Sequence, residues 1–163
     1  MEIAAFLSKG TPENTRAIPG AMFHFLANGQ QTNGSFSLIY IEVYKGNEPP
    51  AHTHQREDES YYIIEGSIRF WIGDKIFDAK AGDFVYLPKG IPHKFEVQSE
   101  FVKELMWMAP AGLEQWFWDN SAPAPNMQAL PVMTEPPPPE LIEHFVKSLS
   151  DYGVEMSQLQ PTL

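Results

Sequence analysis

The sequence has no cysteine. Disulfides, thiolate nucleophiles and cysteine-ligated zinc are therefore excluded, and any bound metal must be held by imidazole nitrogens and carboxylate oxygens. Basic residues are scarce: 11 Lys and Arg stand against 21 Asp and Glu, a formal net charge of -10. A chain so acidic, with no basic cluster, is repelled by nucleic acid and by anionic membrane surfaces. No apolar run approaches the roughly 18 residues of a membrane-spanning helix. Met1–Phe6 has no basic stretch before an apolar one, so no signal peptide is expected and the expected location is cytoplasmic.

What is present suits one soluble domain with a modest appendage: 163 residues, 43% hydrophobic and 13% aromatic. Up to about residue 110 the chain alternates short β-branched and aromatic segments with turn signals. Strands are predicted at 21–27, 35–45, 60–65, 67–72, 75–79, 83–87, 93–97 and 101–108. Turns fall at Asn28-Gly29, Asn33-Gly34, Glu65-Gly66, Gly73-Asp74, Ala81-Gly82 and Pro88-Lys89-Gly90. This spacing points to an all-β sandwich or barrel rather than to βαβ units. A short aromatic helix is expected at 111–119, plugging one end of the barrel. Residues 121–139 hold seven of the chain's 15 prolines and should be extended. A last helix begins at Pro139-Glu140, with Leu141, Ile142, Phe145, Val146 and Leu149 on one apolar face that must dock, and ends at Tyr152-Gly153. The expected division is a barrel domain over 1–119, a proline-rich connector over 120–139, and a C-terminal helix and tail over 140–163.

The chemistry is concentrated in a few positions. His52 and His54 are two apart, so on an extended strand both imidazoles face the same way. Glu59 follows five residues later, in an acidic run with Glu57 and Asp58. His93 comes after the stiff turn Pro88-Lys89-Gly90-Ile91-Pro92. Three neutral imidazoles and one carboxylate suit a divalent first-row metal, and leave one or two positions for water, oxygen or substrate. Tyr61, Ile63 and Phe95 share strand parity with these residues. They should face the interior near the metal, as substrate-pocket wall or as core. His24, in the apolar segment Met22–Leu26, is assigned a structural or interface role. His144, Glu57 and Asp58 are expected to be solvated, and Trp107, Trp116 and Trp118 to serve packing.

Gly46-x5-His52-x-His54-x4-Glu59-x6-Gly66, followed by Gly82-x5-Pro88-x-Gly90-x2-His93, resembles the two motifs of the cupin superfamily. The one departure is Val97, where the family pattern has Asn after three intervening residues. The motif spacing makes Glu59, rather than Glu57 or Asp58, the ligand. The resemblance covers roughly residues 35–108 and implies a jelly-roll β-barrel of six to eight strands, here with a short helix and a C-terminal helical extension. The aromatic helix, the proline-rich connector and the ending Tyr152-Gly153-Val154-Glu155-Met156 further resemble single-domain bacterial cupins related to quercetin 2,3-dioxygenase. That likeness implies one divalent ion (Mn, Fe, Co, Ni, Cu or Zn), a flavonol or similar phenol as small-molecule substrate, and molecular oxygen as co-substrate. It also implies a second duty for Glu59 as general base, and a homodimer, for which Met22–Leu26 is the suggested interface. The alternatives are an isomerase or cyclase using the ion as Lewis acid, and a ligand-binding module without turnover.

Overall fold

The computed structural model describes residues 4–133, 135 and 137–157; positions 134 and 136 of the expected connector and 158–163 of the tail lie outside the described residues. The strands are β1 (Thr15–Ile18), β2 (Ala21–Ala27), β3 (Ser37–Tyr44), β4 (His52–His54), β5 (Asp58–Glu65), β6 (Ser67–Ile72), β7 (Lys75–Lys80), β8 (Phe84–Leu87), β9 (His93–Val97) and β10 (Phe101–Ala109). Helix α1 (Glu114–Asp119), β11 (Ala122–Pro123), α2 (Pro139–Asp151) and β12 (Val154–Met156) follow. They form a seven-stranded sheet, β11-β1-β2-β3-β10-β5-β8, and a five-stranded sheet, β12-β4-β9-β6-β7. Every pairing between these named strands is antiparallel.

Period-two alternation builds the interior. In β3 the residues Ser37, Ile39, Ile41 and Val43 are buried while their neighbours are half-exposed. In β10 the inward set is Val102, Glu104, Met106 and Met108. The apolar members of these two sets meet Phe70, Ile68, Phe95 and Val97 of the other sheet to form one continuous core. Gly66 makes the tight β5–β6 turn at φ 86°, where a Cβ would collide with the Phe101 carbonyl. The count exceeds the expected six to eight strands because the short segments β1, β4, β11 and β12 add to it, and each carries too few residues to show a pattern.

α1 packs its aromatic side chains against the core. Phe117 packs on Phe23 at 5.5 Å and Trp118 on Phe25 at 5.1 Å between ring centroids. Glu114 anchors the helix start by accepting the backbone N–H groups of Gly29 and Gly112. Trp107 is not a core residue; it stacks on Phe36 at 4.7 Å and is 45% exposed. The segment Met22–Leu26 is no free apolar surface. It runs between β1 and β3, with Met22, Phe23 and Phe25 buried.

The apolar face of α2 docks only in part. Phe145 lies against Trp116, whose indole N–H donates to Ser148, and Leu149 packs on the core, whereas Leu141, Ile142 and Val146 remain exposed. Beyond the helix the chain does more than trail away. β12 adds to the edge of β4, with Val154 opposite His54 and Met156 opposite His52. Val154 is buried, Met156 is exposed, and the Thr53 and Ser157 hydroxyls bond at 2.6 Å. Val154→Ala is therefore expected to lower unfolding free energy by about 1–2 kcal/mol in urea titrations, from the apolar surface lost. Met156→Ala should change it by less than about 0.5 kcal/mol. Equal effects would show that β12 does not dock.

Candidate metal centre

β4 is short, but the register places it. His52 pairs with His93 of β9, so the two strands bring their imidazoles side by side. His54 follows on the same face. Glu59 enters from the opposite sheet, on β5 between Leu87 of β8 and Met108 of β10. Ring centroids lie 4.5 Å apart for His52–His93, 5.0 Å for His52–His54 and 5.2 Å for His54–His93. Glu59 Oε2 is 3.5 Å from His93 Nε2. One donor atom from each of the four residues lies within 4.8 Å of all the others, and all four residues are buried.

The hydrogen bonds orient the rings. The Nδ1 atoms of His52 and His93 each lie 3.0 Å from a backbone carbonyl, Pro50 O and Ile91 O respectively. His54 Nδ1 is 2.5 Å from a Glu57 carboxylate oxygen. A carbonyl or carboxylate can only accept, so each Nδ1 carries the proton and donates, leaving each Nε2 as a lone-pair donor. Nε2 of His54 and of His93 has no hydrogen-bond partner and no solvent. Orphaned, converging nitrogens of this kind are costly in a dry interior unless something binds them. The donor set fits a divalent ion. Donors about 2.1 Å from one ion lie roughly 3–4 Å apart, so loading requires only a small contraction.

Electrostatics agree. Burial opposes ionisation of Glu59, but the nearby imidazoles of His54, His93 and His52 outweigh it and hold the carboxyl down at about 2. His52 is pulled down to about 4, chiefly by burial and then by the neighbouring His93. For His54 burial also pulls down, but the Glu59 and Glu57 carboxylates together raise it above the ordinary imidazole value. The set is an ionised carboxylate beside a neutral His52, the protonation states that metal binding needs.

Other residues fall differently. Glu57 is not solvated, as an acidic run at a turn suggests; it is buried against His54. Asp58 caps the 88–90 turn by accepting the Lys89 backbone N–H at 2.9 Å. Tyr61, Ile63 and Phe95 all point inward and belong to the packed core, Tyr61 lying 6.0 Å from Phe95 and 5.4 Å from Phe70. Two surface grooves, of about 600 and 420 Å³, are lined by other residues: one by β3 and the 127–132 segment, the other by β5, β8 and β10. His24 is structural, its Nδ1 2.6 Å from the Thr15 hydroxyl. His144 is exposed on α2. Sequence reasoning missed Glu104. It is fully buried on β10 with neither carboxylate oxygen partnered, and its inward parity is hidden by apolar residues on both faces of the strand.

Residues 39–109, which carry all four residues of the set, match the Cupin domain family. That segment is a cupin domain, and the chain has the jelly-roll fold. Among characterised proteins it is 26% identical over 106 residues to quercetin 2,3-dioxygenase of Bacillus subtilis, an alignment covering 64% of this chain. The chain spans only 32% of that protein's length. The structure of KdgF from a Halomonas species aligns with a TM-score of 0.60 at 12% identity, covering 69% of this chain and 99% of that one. A predicted oxalate decarboxylase from Thermotoga maritima aligns with a TM-score of 0.57 at 21% identity, covering 64% and 99%. At such identities the structural likeness establishes the fold.

Proposed function

We propose that the protein is a metal-dependent dioxygenase acting on a flavonol or a related phenol. The observation that carries this reading is the buried set His52, His54, Glu59 and His93, joined to the sequence likeness to quercetin 2,3-dioxygenase. A divalent transition ion bound there would supply orientation and charge stabilisation for an ionised substrate hydroxyl. Nε2 of each histidine and a Glu59 oxygen would hold it. Glu59 is assigned the general base that would accept the proton of that hydroxyl. Tyr61 and Phe95, with Ile63 deeper, are assigned the aromatic wall against which a flat ligand would lie. The reading includes a cytoplasmic location; no described helix is long and apolar enough to cross a membrane. It includes a homodimer, for which the exposed Tyr62, Phe84, Tyr86 and Trp107 offer a better apolar surface than Met22–Leu26.

The test is metal analysis of protein purified without added ions, followed by oxygen-electrode assays with quercetin. One oxygen consumed per flavonol, lost in His93→Ala, is the expected result. A second reading, a non-oxygenase metal cupin or a binding module, is favoured by the packing of Tyr61, Ile63 and Phe95 into the core. Metal-loaded protein that consumes no oxygen with any flavonol would select it.

A further inference from the structure

Three consecutive acids follow β4, and each does something different. Glu59 belongs to the ligand set, Asp58 caps the neighbouring turn, and Glu57 is hydrogen-bonded to a ligand, His54. We propose that Glu57 is the positioning residue of the metal centre: its carboxylate fixes the His54 ring and tautomer so that Nε2 faces the ion. The contact is 2.5 Å, with both side chains almost wholly excluded from solvent. His52 and His93 have only backbone carbonyls at 3.0 Å in the same place. A charged acceptor holds its donor more strongly than a neutral one and makes the imidazole a better ligand. Among the described residues, His54 is thus the histidine of the set whose Nδ1 partner is a replaceable side chain.

The loop carrying Glu57 is itself tied down. Gln55 N–H donates to the Gly153 carbonyl at 2.8 Å, and Gly90 N–H donates to the His54 carbonyl at 2.7 Å. Gly153, at φ 83°, lets Arg56 approach so closely that a Cβ would lie 2.8 Å from its Nε. The segment between α2 and β12, outside the matched Cupin domain, therefore holds the turn that holds the ligand.

The inference rests on the four-residue set holding a metal, not on the dioxygenase activity. The probe is Zn2+ alone, titrated against a chromophoric chelator. Glu57→Leu is expected to weaken zinc binding by about 10- to 100-fold. Glu57→Gln, which keeps an acceptor, should restore most of that loss. A nitrogen-proton correlation spectrum of the zinc-loaded wild type should show all three ligands protonated on Nδ1, with the His54 proton furthest downfield. Glu57→Gln should move that resonance and leave those of His52 and His93 in place. Unchanged zinc affinity in Glu57→Leu overturns the proposal. So does a His54 ring protonated on Nε2, a result that needs no variant to fold. Wild-type protein that takes up no zinc would sink the metal reading itself.

Discussion

His93→Ala is expected to take up almost no divalent metal under conditions that load the wild type to one ion per chain. His93 is the hinge of the set. It pairs with His52 across the β4–β9 ladder, stacks on His54, and lies closest to Glu59 across the gap between sheets. Changing a residue outside the coordination sphere costs about 10- to 100-fold in affinity, and deleting a donor should exceed that. His52→Ala and Glu59→Gln should behave similarly. His24→Ala and His144→Ala should load normally, since one bonds Thr15 and the other lies exposed on α2. Loading should also fall as pH falls. Glu59 stays ionised to about 2, so the proton that competes with the ion is held by the imidazoles, first by His54, whose two carboxylate neighbours raise its affinity for it. Equilibrium dialysis with inductively coupled plasma analysis at several pH values measures all of this. Normal loading of His93→Ala would mean the ion binds elsewhere.

The ligand set was readable because its geometry follows from spacing. Parity along an extended strand places His52 and His54 together, and the glycines at 46, 66, 82 and 90 have positive φ at the turns that the motif requires. Glu57 was misread because Glu57-Asp58-Glu59 has the look of a solvated turn, and nothing local shows that β4 and its neighbours enclose it. β12 was unreadable for a different reason. Val154–Met156 has three residues and only one of them is buried, so it carries no periodicity, and its partner lies about a hundred residues away. β10 shows a third failure. Its outward residues include Phe101, Leu105 and Trp107, so apolar side chains occupy both faces and the alternation that marks Glu104 as inward is masked.

Glu104→Met is expected to make the metal-free protein more stable, and increasingly so as pH rises. The carboxyl is fully buried between Ile41 and Ile63, with no partner on either oxygen. Burial first, and then the Glu59 charge, push its pKa from an ordinary 4.5 up to about 8. The native state therefore keeps a proton that the unfolded chain releases above 4.5. Stability contributed by that proton is complete below pH 4.5 and is lost progressively as pH rises to 8, a total on the order of 5 kcal/mol. Methionine removes both the ionisation and the unpaired polar group, whose own cost is about 1–3 kcal/mol. Glutamine removes only the ionisation. Urea unfolding in chelator at pH 5, 7 and 8.5 should thus show a falling wild-type profile, a flatter one for Glu104→Gln, and one for Glu104→Met that is flatter and higher throughout. Parallel profiles for wild type and Glu104→Met would show that the carboxyl is solvated or paired. The expected outcome would instead mark Glu104 as an acid held at a cost to stability, facing the interior that also holds Glu59.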